Sequence, residues 1–213
     1  MIPNSLRYKL NIYRRYTHWN RLNCIFVHVP KAAGTSINRA LYGRTLGHYS
    51  ASEIKFRFPS LYERAFTFSV VRNPWDRALS AYRFASLGRT DSMGVRKPIQ
   101  YKTPDFKSFE RFVCDWLPQK DIQSIDFIFR PQWLFVCDSE KEILVDHLGR
   151  FEKMGETVSF LNEIFCKDIK VENQNSTRIA ISDYRSAYTR PEMVDIISSL
   201  YNQDIKLFGY SFE

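Results

Sequence analysis

Two short apolar runs, each stopped by a polar turn that leads into a helix start, constrain this chain more than any other feature. Cys24-Ile-Phe-Val-His-Val29 ends at Pro30 and is followed by Lys-Ala-Ala-Gly-Thr-Ser. Ala65-Phe-Thr-Phe-Ser-Val-Val71 runs into Arg72-Asn73-Pro74-Trp75-Asp76. Their β-branched and aromatic content predicts strands buried on both faces, as in a parallel sheet. Behind the first run a helix is expected from near Thr35 to about Tyr42, closed by Gly43. Behind the second, Asn73 can cap, Pro74 sits where its missing N–H costs nothing, and Asp76 suits the positive helix end. That helix should reach about Ser86 and stop at Gly88. Further helices are expected over 105–117, 156–166 and 191–203, with short strands near Trp133–Cys137 and Leu144–Leu148. Strand, turn and helix in repetition predict an α/β fold, a three-layer sandwich around a mostly parallel sheet.

Charge is distributed unevenly. Of 31 Lys and Arg against 23 Asp and Glu, for a net +8, 18 basic and only 4 acidic residues precede Asp105. The first half therefore carries +14 and the second −6, which points to an anion handled by the first half. Residues 1–23 hold Arg7, Lys9, Arg14, Arg15 and Arg21 without an acid, interleaved with Tyr8, Tyr13, Tyr16 and Trp19. They read as an arm that packs on the domain or stays partly mobile, with residues 24–213 as a single domain. The longest apolar stretches fall far short of the ~18 residues of a membrane span, and no secretory pattern follows Met1. Cys24, Cys114, Cys137 and Cys166 are widely spaced, so free thiols are expected. A cytoplasmic protein is expected, with room for peripheral membrane contact.

The chemistry gathers at the carboxyl ends of the two strands, where open α/β sheets bind ligands. In Pro30-Lys31-Ala32-Ala33-Gly34-Thr35-Ser36 small residues let backbone amides approach an anion, and a helix N-terminus stands behind them. Lys31 adds a full charge, and Thr35 and Ser36 add hydroxyls. This is no Walker A loop, because the lysine precedes the glycine by three residues and no side chain is evidently placed for magnesium. In the second turn Arg72 can grip a phosphate with two donors, and Ser80, about two helical turns on, can add another. Two anion sites on neighbouring strands describe a ligand with two separated phosphates.

The pair Phe26-Val-His-Val-Pro-Lys-Ala-Ala-Gly-Thr-Ser36 and Phe68-Ser-Val-Val-Arg-Asn-Pro-Trp-Asp-Arg-Ala-Leu-Ser-Ala-Tyr82 resembles the carbohydrate sulfotransferases. The likeness is to the group of heparan sulfate 2-O- and chondroitin 4-O-sulfotransferases and their short bacterial relatives. It continues through Phe129-Arg-Pro-Gln132, Val145-Asp-His-Leu-Gly-Arg-Phe-Glu152 and Asp204-Ile-Lys-Leu-Phe-Gly-Tyr210. It implies a P-loop-like sulfotransferase fold and 3′-phosphoadenosine 5′-phosphosulfate as donor, with no metal. By the resemblance Lys31, Ala32, Ala33, Gly34, Thr35 and Ser36 hold the 5′-phosphosulfate, although Ala32-Ala33 departs mildly from the usual Thr/Gly-rich centre. Arg72 and Ser80 match the 3′-phosphate site, and Ser176 and Arg178 match a segment that closes over the nucleotide. The implied acceptor is a hydroxyl of a polysaccharide, glycolipid or lipooligosaccharide, possibly anionic, and not a nucleic acid. The arm and the 88–104 loop are where acceptor contacts are expected.

Transfer to an alcohol requires a base. His48, in a polar loop after Gly47, stands where relatives place their proposed catalytic histidine, and an imidazole can take a hydroxyl proton near neutral pH. His28 reads as a satisfied strand histidine, and His18 and His147 as structural. Some relatives carry a histidine just before the segment matching Arg130-Pro131-Gln132, where this chain has Ile128-Phe129, which moves weight to His48. Glu53, Glu63 and Glu152 read as solvated or ion-paired. Lys31 is expected to stabilise the leaving bisphosphate. Two other functions fit parts of the pattern: a divergent nucleotide kinase, which would need magnesium, and a non-catalytic binder of acidic polymer or nucleic acid, which would show steep salt dependence.

Overall fold

The structure is a computed structural model that describes residues 10–89, 94–95, 97–166, 168–171 and 183–212. Three parallel strands form its sheet in the order β1 (Cys24–Val27), β2 (Phe66–Val71) and β3 (His147–Arg150). Phe26 pairs with Phe68 across β1 and β2, and Phe68 with His147 across β2 and β3. β1 is buried throughout and so is nearly all of β2, as their unbroken apolar runs require. With helices packed around the sheet, the architecture is α/β.

Each of the first two strands is followed by the expected helix. Beyond β1 the chain turns into α2, Gly34–Tyr42, which ends at Gly43 with φ +70°. Beyond β2 the Asn73 side chain accepts from the Trp75 and Asp76 amides and starts the helix Pro74–Leu87, which Gly88 closes in the left-handed region. Ahead of β1 lies α1, Tyr13–Leu22. Its Trp19 is buried against Tyr49 (ring centroids 6.3 Å) and Phe58 (6.2 Å), while Tyr13 meets Phe58 edge-on at 5.4 Å. Between α2 and β2 stand two further helices, α3 (Ala51–Arg57) and α4 (Pro59–Arg64). We number Pro74–Leu87 as α5 accordingly.

Several expectations fail for identifiable reasons. The expected strand at Trp133–Cys137 is a helix, α6, over Trp133–Val136. Its starting amides, from Gln132 and Trp133, donate to the Asp204 carboxylate at 2.8 and 2.9 Å, a cap that is distant in sequence. The strand expected at Leu144–Leu148 sits later, at His147–Arg150, because Asp146 turns its carboxylate to the Thr67 amide and hydroxyl, both at 2.8 Å, and pins the start of pairing. The helix expected over 105–117 is broken into the turns Pro104–Phe106, Phe109–Arg111, Phe112–Trp116 and Leu117–Gln119, around a cluster of Phe106, Phe112, Trp116 and Phe129 rings. After β3, helix α7 covers Met154–Phe165. The helix expected over 191–203 is split at Tyr201 into α8 (Pro191–Leu200) and α9 (Asn202–Phe208), where the Tyr201 hydroxyl donates to the Phe129 carbonyl at 2.6 Å. No helix of the described residues is long and apolar enough to cross a membrane.

Candidate active site

The first loop begins where β1 ends. Lys31 has φ +67° and Ala33 φ +60°, left-handed backbone that neither side chain favours and that costs about 1–3 kcal/mol per residue unless its surroundings impose it. Strain of this kind turns successive amides toward one concavity, the geometry of anion-binding nests. Thr35 and Ser36 lie buried in the first turn of α2 behind it. Gly34 has a packing reason beyond close approach to an anion: a Cβ there would sit 1.8 Å from His28 Cδ2.

His28, just past β1, is buried, and Asn38 Nδ2 lies 3.2 Å from its Nδ1. The same amide nitrogen donates to the Gly34 carbonyl at 2.8 Å, while Asn38 Oδ1 accepts from the Leu46 amide at 3.3 Å. Asn38, absent from the sequence reading, thus ties α2 both to the strand histidine and to the loop that carries His48. His48 Nδ1 approaches the His28 carbonyl at 3.1 Å, a contact that requires the proton on Nδ1 and leaves the lone pair on Nε2. Its ring is held between His28 (3.9 Å) and Phe127 (4.7 Å). Burial, with help from the Lys31 charge, lowers the His48 pKa to about 4, against the opposing pull of the His28 carbonyl and Asp126. His28 is driven well below its ordinary value, by burial first and by His48 next.

The second loop is fastened by residues remote in sequence. Gln132 accepts from the Arg72 amide at 2.9 Å and donates to the Arg72 carbonyl at 2.7 Å, standing in for a neighbouring strand. The Asn73 amide donates to Glu152 at 2.6 Å, and Glu152 also accepts from the Tyr210 hydroxyl at 3.0 Å. Glu152 is therefore a loop anchor, not the solvated or ion-paired carboxylate expected. Buried Arg77 donates to the Ile128 and Arg130 carbonyls at 3.4 and 2.7 Å and positions the segment that carries Gln132. These bonds explain why the stretches ending in Gln132, Glu152 and Tyr210 accompany the two loops in the sequence pattern.

Lys31 and Arg72 are brought together. Arg72 Nη1 donates to the Lys31 carbonyl at 3.1 Å, its Nε pairs with Asp76 at 2.8 Å, and its plane lies 4.0 Å over the Phe151 ring. Lys31 Nζ lies 4.2 Å above the Phe84 ring. Asp76, Ser80 and Phe84 succeed one another at i,i+4 spacing on α5, so Ser80 stands on a stripe with Arg72 at one end and the Lys31 ammonium at the other. Among the described residues no carboxylate lies within ion-pair distance of Lys31. Burial and the neighbouring guanidinium lower its pKa to about 8. A desolvated ammonium that shares its site with a guanidinium, whose one carboxylate partner is Asp76, favours an added anion. Ser176 and Arg178 lie outside the described residues. A hollow of about 550 Å³ lies along β3, lined by His147, Arg150, Lys153 and Phe160 among others, and none of the expected donor-binding residues lines it.

The family model for the sulfotransferase family matches residues 14–211, nearly the whole chain. The chain belongs to the sulfotransferase family. No curated protein and no solved structure gives a match. As a sulfotransferase it carries out sulfuryl transfer to an acceptor. Among the described residues no group of three or more His, Cys, Asp and Glu side chains is arranged to hold a metal ion.

The Lys31 pKa has a measurable consequence for this sulfotransferase. An anion bound at Lys31 stabilises the ammonium, so binding takes up a proton wherever free Lys31 is neutral. Affinity for a sulfate ion held there, whose own charge is constant over this range, should therefore be level below pH about 8 and fall as pH rises through it. In Lys31→Arg, whose guanidinium stays charged, that loss should vanish. Calorimetric titrations across this range check it, and an equal decline in both proteins would place the titrating group elsewhere.

Proposed function

We propose that this sulfotransferase moves a sulfuryl group from 3′-phosphoadenosine 5′-phosphosulfate to a hydroxyl of a carbohydrate, on a polysaccharide, glycolipid or lipooligosaccharide. The observation that carries the reading is the meeting of Lys31 and Arg72 at the ends of adjacent parallel strands, with no carboxylate among the described residues paired to the lysine. The donor set fits a doubly phosphorylated ligand: an ammonium, a guanidinium, hydroxyls of Thr35, Ser36 and Ser80, and a strained loop opening a helix. When bound, the donor supplies an activated sulfuryl group and a bisphosphate leaving group.

In this reading Lys31, the amides from Ala32 to Thr35 and the hydroxyls of Thr35 and Ser36 hold the 5′ end of the donor, and Lys31 offsets negative charge developing on the leaving oxygen. Arg72 and Ser80 hold the 3′-phosphate, with Ser176 and Arg178 as further contacts. His48 accepts the acceptor's proton at Nε2 while its Nδ1–H stays on the His28 carbonyl. No metal takes part. The sheet and its flanking helices form the core of a three-layer, P-loop-like sandwich, with residues 1–23 as an appended arm. A cytoplasmic setting agrees with four free cysteines.

The test is donor binding followed by transfer. At about 100 times its Kd, adenosine 3′,5′-bisphosphate should raise unfolding stability by about 2.7 kcal/mol without magnesium. Arg72→Ala should weaken that binding about tenfold, since one charged donor is lost from a phosphate and Asp76 is left beside it, and Arg72→Lys should recover part. Labelled sulfate should then appear on members of a polysaccharide panel. Retention of acidic polymer with steep salt dependence and no response to the bisphosphate would sink this function.

A further inference from the structure

Helices α1 and α3 build a surface that the site does not use. α1 turns Trp19 inward, together with Ile12 just before the helix, and leaves Arg14 and Arg21 exposed on the opposite arc, in line with exposed Leu10 one turn earlier, while Tyr13, edge-on to Phe58, stands half-exposed at the flank. Arg57, at the end of α3, reaches Tyr13, with Nη1 3.5 Å from its hydroxyl and the guanidinium 5.9 Å from the ring centre. Next to Arg57 in α3 stand exposed Lys55 and Phe56, and Phe56 is 84% accessible to solvent. Tyr13 at 52% and Leu10 at 49% add exposed apolar surface at the start of α1 and just ahead of it. The two helices are basic: α1 and α3 hold Arg14, Arg15, Arg21, Lys55 and Arg57 against Glu53 alone, and Glu53 is engaged with Arg57 at 3.7 Å.

We propose that this face docks on an anionic lipid surface, with Phe56, Tyr13 and Leu10 entering the headgroup–acyl boundary and Arg14, Lys55 and Arg57 meeting lipid phosphates. Positive charge alone would suit an acidic polysaccharide equally well. The protruding apolar side chains decide between the two, because a hydrated polymer offers them no apolar phase whereas a bilayer interface does. Long basic side chains around an apolar tip are also the arrangement that lets charge stay at headgroup level while the ring inserts. The docked helix backs the site: Trp19 of α1 packs on Tyr49, the residue after His48. Docking is independent of whether His48 is the base.

Sedimentation with vesicles of phosphatidylcholine alone, or mixed in equal parts with phosphatidylglycerol, tests this on the full chain. The protein should pellet with the mixed vesicles and stay in solution with phosphatidylcholine. Phe56→Ser, and separately Arg14→Glu combined with Lys55→Glu, should each reduce partitioning about tenfold or more. All these positions are exposed, so adenosine 3′,5′-bisphosphate binding should be unchanged and reports that the variants are folded. Absence of binding to the mixed vesicles overturns the proposal, and so does binding that Phe56→Ser leaves intact. Competition by a soluble acidic polysaccharide with no dependence on Phe56 would assign the face to a polymer instead.

Discussion

Gly34→Ala should destabilise the fold by about 3 kcal/mol, at the upper end of what overpacking costs. The added methyl would lie 1.8 Å from His28 Cδ2, 2.1 Å from Nε2 and 2.7 Å from Cγ. The ring has little room to yield. Phe26 stacks near it at 5.9 Å, His48 at 3.9 Å, and Asn38 lies 3.2 Å from its Nδ1. Moving Gly34 instead would displace the first turn of α2 and break the Asn38 bond to the Gly34 carbonyl. Urea or thermal unfolding measures the loss; for a chain of 213 residues it corresponds to a Tm drop of about 10 °C. The decisive comparison is the double variant. His28→Ala removes the ring that the methyl strikes, so in that background Gly34→Ala should cost less than about 1 kcal/mol, a coupling of the size neighbours in contact show. The His28 carbonyl that meets His48 is backbone and survives the substitution. Equal costs in both backgrounds would mean that the glycine serves its loop conformation and not this packing.

The two strand–turn–helix units were legible because their signals are local. Asn73 caps the helix it precedes, Pro74 occupies the first position, and Gly43 and Gly88 close their helices with positive φ, all decided within a few residues. The start of α3 is equally local: Ser50-Ala-Ser-Glu53 has capping-box spacing, and Ser50 accepts from the Glu53 amide at 3.1 Å. The misassigned Trp133–Val136 segment is different. Four apolar residues in a row suit a buried strand or a buried helix, and the carboxylate that settles the matter, Asp204, comes about seventy residues later.

The site divides along the same line. Lys31 and Arg72 could be singled out from their positions after apolar runs, and the structure joins them through the Lys31 carbonyl. What holds them could not be read from neighbours in the chain. Gln132, Glu152 and Asn38 carry no charge pattern or periodicity that marks them, yet each supplies the hydrogen bonds that fix a loop amide or carbonyl. The strained φ values at Lys31 and Ala33 persist because such contacts surround them. Phe84 and Phe151, which cover the two cations, carry no sequence signal beyond being apolar.

His48→Ala should lower kcat about 10²–10⁴-fold while leaving the Kd of adenosine 3′,5′-bisphosphate nearly unchanged, the separation expected when a general base is lost and donor contacts are kept. The geometry supports a base that acts through Nε2: the Nδ1 contact with the His28 carbonyl sets the tautomer, and the rings of His28 and Phe127 set the plane. The pH profile distinguishes this role from a packing role. A histidine at its ordinary value would be half protonated near pH 6.5. Here burial and the Lys31 charge lower the free-enzyme pKa to about 4, so His48 is neutral, and able to accept a proton, at every pH well above that. Thus the acid limb of kcat/KM that His48 sets should lie near pH 4. A donor bound as proposed would bring negative charge close to Lys31, relieve the repulsion on an imidazolium and raise the His48 pKa in the complex. The acid limb of kcat should therefore lie at higher pH than that of kcat/KM. In His48→Ala both limbs should disappear together with the rate. A variant that folds, binds the bisphosphate and turns over at the wild-type rate would transfer the base role to another group, and an unchanged acid limb in a slowed variant would reduce His48 to a packing residue.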